Sequence, residues 1–117
     1  MPRDRDALYD ILDASRLIME YTRGMDYPAF DSNQAIKDAV IRRFEIIGEA
    51  TKRLTRAFRD RHPEVPWDDM AGMRDRVIHG YDTVDWQVVW NARSESVPEL
   101  IAAVEAMLSE FEDGGPT

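Results

Sequence analysis

Between Ile36 and Phe58 apolar residues return every three or four positions: Ile36, Ala39, Val40, Phe44, Ile47, Ala50, Leu54, Ala57 and Phe58, flanked by Ile46. That spacing matches the 3.6-residue period of an α-helix. Asp31 and Gln34 stand at capping-box spacing, so the helix is predicted to begin near Asp31 and to run to about Asp60, where Pro63 stops it. At 1.5 Å per residue this is about 45 Å, long enough to be the spine of a helical bundle. Two positions break the pattern. Gly48 costs a helix interior about 1 kcal/mol relative to alanine, which implies close approach by a neighbouring helix. Arg43 projects into the apolar stripe, and a buried guanidinium requires a carboxylate or a helix C-terminus as partner.

Three further helices follow from the same reasoning. From Asp4 to Thr22 the stripe is Leu8, Ile11, Leu12, Ile18 and Met19 with Ser15 among them, and Gly24 ends it. A link, Met25–Phe30, contains Pro28. After the loop at 61–67, Pro66 suits the first turn of a third helix reaching about His79, with Gly80 as its stop. Asp85 caps the fourth, whose face of Trp86, Val89, Trp90, Val97, Leu100, Ile101, Val104, Met107, Leu108 and Phe111 stays in phase across Pro98; one helix kinked there is predicted. The sum is a single all-α domain over residues 1–112, an antiparallel four-helix bundle, with a disordered tail at 113–117.

Composition narrows the function. There is no cysteine, which excludes disulfides, thiolate metal sites and a cysteine nucleophile. His62 and His79 lie far apart without an HExxH pattern, so no metal or other cofactor is expected. No apolar run approaches the ~20 residues of a membrane span and the first residues are no signal peptide, so a cytoplasmic protein without membrane contact is expected. The net charge of −8 argues against general nucleic-acid coating, but it is uneven. Residues 42–76 hold nine basic and seven acidic side chains; the remainder holds six basic and sixteen acidic. Arginine outnumbers lysine thirteen to two, which favours forked contacts with phosphate or carboxylate.

Within that middle lies Met70–Asp82, MAGMRDRVIHGYD, where Arg74, His79 and Tyr81 fall within eight residues. An imidazole titrating near neutral pH can take the proton of a ribose 2′-OH, and a guanidinium can clamp the phosphate beside it. Spacing alone does not single the pair out. An arginine-rich chain produces such pairs by chance, Arg56 and His62 being a second instance, and His79 also suits a helix C-terminus as a simple cation. Positions 74 and 79 lie about 140° apart on a regular helix, so they converge only if the helix frays or a two-fold partner brings its own pair.

The segments AVIRRFEIIGEA (39–50), VPW (65–67), MRDRVIHGY (73–81) and VW (89–90) resemble the HEPN family, and within it the HepT-like toxins of HepT/MntA toxin–antitoxin pairs. The family signature is Arg, four to six residues, His, with a polar residue after the arginine; Asp75 fills that slot. The resemblance implies a homodimeric, metal-independent endoribonuclease acting on RNA, tRNA in some members, with Arg74 and His79 catalytic. It implies that an MntA-like nucleotidyltransferase antitoxin adenylylates Tyr81 and silences the toxin. Arg42 and Glu49 match recurrent supporting positions of the second helix. The alternatives are a non-catalytic helical dimer that docks on a nucleotidyltransferase, and a nucleotide-binding bundle.

Overall fold

The computed structural model describes the backbone of residues 2–80 and 84–112 and the side chains of 3–73 and 84–111. Among these residues all regular structure is helical: α1 (Pro2–Tyr21), α2 (Tyr27–Asp31), α3 (Gln34–Arg53), α4 (Arg56–Arg61), α5 (Trp67–Gly80), α6 (Trp86–Asn91) and α7 (Val97–Glu112). A π-helical stretch, Ala92–Ser96, joins α6 to α7 without a break. α1 packs along α3 and α7, and α3 packs along α5. α1 runs antiparallel to α3, because Asp4 near its start meets Thr55 beyond the end of α3. It runs antiparallel to α7 as well: Thr22 meets Arg93, whereas Arg16 pairs with Glu105. With α6, the π stretch and α7 taken as one run, four long helices form the expected all-α bundle.

The predicted stripes supply the core. Leu8, Ile11 and Ile18 of α1, Val40, Phe44 and Ile47 of α3, and Val97, Val104 and Leu108 of α7 are buried together. Ser15 is buried in the α1 stripe as expected, and its Oγ has no hydrogen-bond partner among the described residues. Gly48 is buried on α3. Gly24, at φ 75°, supplies the left-handed turn that ends the first helical segment.

The predicted spine is two helices. α3 stops at Arg53, Leu54 is extended (φ −64°, ψ 140°), and Thr55 opens α4. At 1.5 Å per residue α3 spans about 30 Å rather than 45. The cause is a buried carboxylate on another helix. Asp4, only 1% exposed, accepts the Thr55 N–H at 2.8 Å and the Thr55 hydroxyl at 2.9 Å. Thr55 Oγ1 in turn accepts the Phe58 N–H at 3.2 Å and so caps α4. In an unbroken helix the Thr55 N–H would point at a carbonyl four residues back and be lost to Asp4. A buried carboxylate without donors costs more than one helical hydrogen bond returns, so the helix yields. Leu54 and Phe58 stay buried on both sides of the break, whereas Ala57, placed in the stripe by its spacing, is exposed.

Other boundaries shift for similar local reasons. The Met25–Phe30 link is largely a helical turn: Asp26 caps α2 by accepting the Ala29 N–H at 3.0 Å, and Pro28 sits in its first turn. Asp31 ends α2; Asn33, not Asp31, caps α3 through Ile36 N–H at 3.0 Å. Asp85 caps α6 as predicted, accepting from Gln87 and Val88. The fourth helix does continue past Pro98, and its irregularity lies just upstream, where the Val97 N–H donates to the Ala92 carbonyl five residues back. A π turn takes one extra residue. Val89 and Val97, eight apart rather than the seven of two α-turns, are accordingly both buried. Arg43 is partly buried, and its Nε has no hydrogen-bond partner among the described residues. The tail at 113–117 lies outside the described residues.

Asp4→Ala should lower the unfolding free energy by about 3 kcal/mol in urea titration, because the Thr55 N–H and hydroxyl both lose a charged acceptor. A loss within about 0.5 kcal/mol, the range of ordinary surface substitutions, would mean that Asp4 does not hold the α3–α4 break.

Candidate active site

α5 carries the focal segment. Its first regular bond runs from the Met70 N–H to the Pro66 carbonyl at 3.1 Å, and its backbone remains helical through Gly80. Arg74, Asp75 and His79 are therefore on one helix, and the backbone does not fray before His79. The side chains of Arg74, Asp75 and His79 lie outside the described residues, and Tyr81 lies outside them entirely. Five residues of regular helix separate positions 74 and 79 by about 140° and about 7.5 Å, so one copy of α5 does not carry both on one face.

α3, against which α5 packs, carries the two supporting positions. The guanidinium of Arg42 donates to Glu45 through a short contact, and its Nη1 lies 4.0 Å from Glu49 Oε1. The structure thus brings Arg42 and Glu49 together and adds Glu45, which the sequence reading did not single out. The signal was present: positions 42, 45 and 49 fall on one helical face. Between α3, α5 and α7 an apolar cavity of about 430 Å³ is lined by Phe44, Ile47, Met70, Met73 and Leu100 among others, just ahead of Arg74 along α5.

The second Arg–His match has a structural role. His62 is the C-cap of α4, lies with its ring 4.7 Å from that of Phe58, and has Nδ1 3.5 Å from Glu64. Its carbonyl accepts the Trp67 indole N–H at 2.9 Å, fixing the start of α5. Arg93, unremarked in the sequence, ties the π stretch to the end of α1: Nε donates to Thr22 Oγ1 at 2.7 Å and Nη2 to the Thr22 carbonyl at 3.2 Å. Its guanidinium also lies 4.6 Å from the Trp90 ring. Burial lowers its pKa from the usual arginine value, and these acceptors compensate for part of the lost hydration. Among the described residues no group of three His, Cys, Asp or Glu side chains could hold a metal ion, and no helix is long and apolar enough to cross a membrane.

Comparison with known proteins adds what the geometry leaves open. A family model described as ribonuclease HepT-like matches residues 11–107. A protein of Methanocaldococcus jannaschii, provisionally named an RNase, is 42% identical over 106 residues, covering 91% of each chain. A Thermococcus cleftensis protein named "Probable ribonuclease HepT" is 43% identical over 103 residues, covering 88% of this chain and 94% of its own. A third, from Caldanaerobacter subterraneus and again provisionally named an RNase, is 36% identical over 110 residues, covering 94% of this chain and 98% of its own. No solved structure gives a significant match.

The Arg42 pairs are exposed, with the Arg42 side chain 53% accessible, so they contribute little to stability. Arg42→Ala should change the unfolding free energy by less than about 1 kcal/mol. If RNA cleavage by this variant falls more than tenfold while its unfolding curve is unmoved, Arg42 acts on the site. An equal fall in both would make it structural.

Proposed function

The chain belongs to the HepT-like ribonuclease family, and from that membership we propose that it is the metal-independent endoribonuclease toxin of a toxin–antitoxin pair, with Arg74 and His79 as its catalytic residues. The observation that carries this reading is the family match over residues 11–107, which contains the whole of Arg74–Tyr81. Neutral His79 accepts the proton of a ribose 2′-OH, and the 2′-oxygen attacks the adjacent phosphorus. The bond from phosphorus to the 5′-oxygen breaks, and that oxygen takes a proton back from the imidazolium. The products are a 2′,3′-cyclic phosphate and a 5′-OH. Arg74 bears the charge that builds on the phosphoryl oxygens, through two parallel hydrogen bonds where geometry allows.

The helical backbone of α5 favours a dimer, because positions 74 and 79 face apart within one copy. A two-fold partner with its own α5 alongside supplies the missing half of each site. Tyr81 is the control point of this scheme. Its phenol oxygen attacks the α-phosphorus of ATP in the active site of an MntA-like nucleotidyltransferase, pyrophosphate leaves, and the attached AMP puts bulk and negative charge two residues from His79. RNA, a tRNA among the candidates, is then excluded from the site.

Purified protein should cleave tRNA in excess EDTA and leave 2′,3′-cyclic phosphate ends. His79→Ala should lose about 10²–10⁴-fold of that rate without a change in thermal unfolding. Undiminished cleavage in that variant would refute the assignment. A tight complex with a nucleotidyltransferase, but no cleavage by the free protein, would favour the non-catalytic module instead. Co-expression with an MntA-like nucleotidyltransferase should add the mass of one AMP to the chain, and Tyr81→Phe should abolish the gain.

A further inference from the structure

We propose that Arg56, Arg59 and Arg61 of α4 form an RNA-docking surface, separate from the catalytic positions of α5, that holds the phosphate backbone of the substrate. This rests on the ribonuclease reading above. It addresses a difficulty in that reading: a chain of net charge −8 has to bind a polyanion.

The cations are concentrated where α4 lies. Lys52–Arg61 contains five basic residues and a single acidic one, in a chain with 23 acidic residues in all. Elsewhere several cations are already committed inside the fold. Arg3 donates to the Arg53 carbonyl; Arg16 pairs with Glu105, Lys37 with Asp31, Arg42 with Glu45, and Arg53 with Asp10. The three arginines of α4 form no salt bridge with any described residue. Arg56 and Arg61 are exposed, and the buried Nε of Arg59 has no acceptor among the described residues. Arg61 lies 5.5 Å from the Phe58 ring, a contact that positions the guanidinium and leaves its charge in place. Three guanidiniums within six residues, without an ion pair among the described residues, form a phosphate-binding patch of the kind that anchors RNA irrespective of its sequence.

The patch has a path to the catalytic helix. Arg56 and Arg59 line a cleft of about 380 Å³ whose far wall is the start of α5, at Trp67. From Trp67 to Arg74 is seven residues, about 10 Å along the axis, or roughly three phosphate spacings of a stacked strand. The same cleft is lined by Asp60, Asp68 and Asp69, so phosphate is favoured on the arginines of α4 and repelled from the carboxylates beside them.

The test uses the full chain with His79→Ala, which leaves RNA uncut, and a fluorescein-labelled single-stranded RNA read by anisotropy. From about 50 to 200 mM salt the slope of log affinity against log salt should fall by about two when all three arginines become glutamine, roughly 0.7 for each lost phosphate contact. Affinity at the lowest salt should fall at least tenfold. The triple Arg→Lys variant should keep most of both, and Asp60→Asn should bind more tightly. In the active chain the glutamine variant should cleave long RNA with reduced kcat/KM and a dinucleotide at the parent rate. Circular dichroism checks the fold, and Arg56→Gln alone provides a milder variant. Three results would overturn the proposal: parental binding by the triple variant, an equal loss from the distant Arg23→Gln, or a parallel loss on the dinucleotide. If the parent cleaves no RNA at all, it is the ribonuclease reading that fails, and the binding arms still report on the patch.

Discussion

Asp4 sits almost wholly out of solvent at the junction of α1, α3 and α4, and its charge dictates the surrounding backbone. A carboxylate there is tolerable only with donors close by, and the donors available are the N–H and hydroxyl of Thr55. Freeing that N–H requires the long helix to break. The break creates α4 as a separate piece, and α4 seats Phe58 against His62, Trp67 and Phe111. That aromatic knot, with the bond from the Trp67 indole to the His62 carbonyl, sets where α5 begins. The helix that carries positions 74 and 79 is thus placed, through three short steps, by a carboxylate on the first turn of α1.

Periodicity makes buried faces visible but says nothing of whether the backbone between them is continuous. Leu54 and Phe58 are buried on both sides of the break, so the stripe reads as one helix although two are present. What decides the matter is a long-range bond from Asp4, 51 residues earlier, which no local pattern contains. Caps are similarly ambiguous where several cap-forming residues stand close together. Asp31 and Asn33 both fit the start of α3, and Asp31 is taken up by α2 and Lys37. Where a single candidate stood in the right place, as with Asp85 and Gly24, the reading held.

The site divides along the same line. That Arg42, Glu45 and Glu49 share a face of α3 follows from their spacing, and so does the separation of positions 74 and 79 around α5. Spacing could not separate the pair on α5 from Arg56 and His62. Packing assigns His62 to the end of α4, with Phe58 on its face and its carbonyl engaged. Charge was legible only in bulk: the sequence shows a basic middle, and the structure shows which cations there are already neutralised. Three of the thirteen arginines, Arg56, Arg59 and Arg61, stand on the one short helix α4, in a chain whose acidic residues are spread over nearly every element.

The π stretch between α6 and α7 carries a different kind of information. Its extra residue acts as an angular offset, turning the Trp86–Trp90 end of the helix by about 100° relative to Val97 and beyond. The aromatic group that α6 forms with Tyr27 and Phe30 is therefore indexed to α7 by a count of residues. A one-residue deletion anywhere in Ala92–Ser96 would restore a plain α-helix and swing Val89 out of line with Val97. It would also carry Arg93 away from the end of α1. In this short segment, chain length is under stricter physical constraint than side-chain identity.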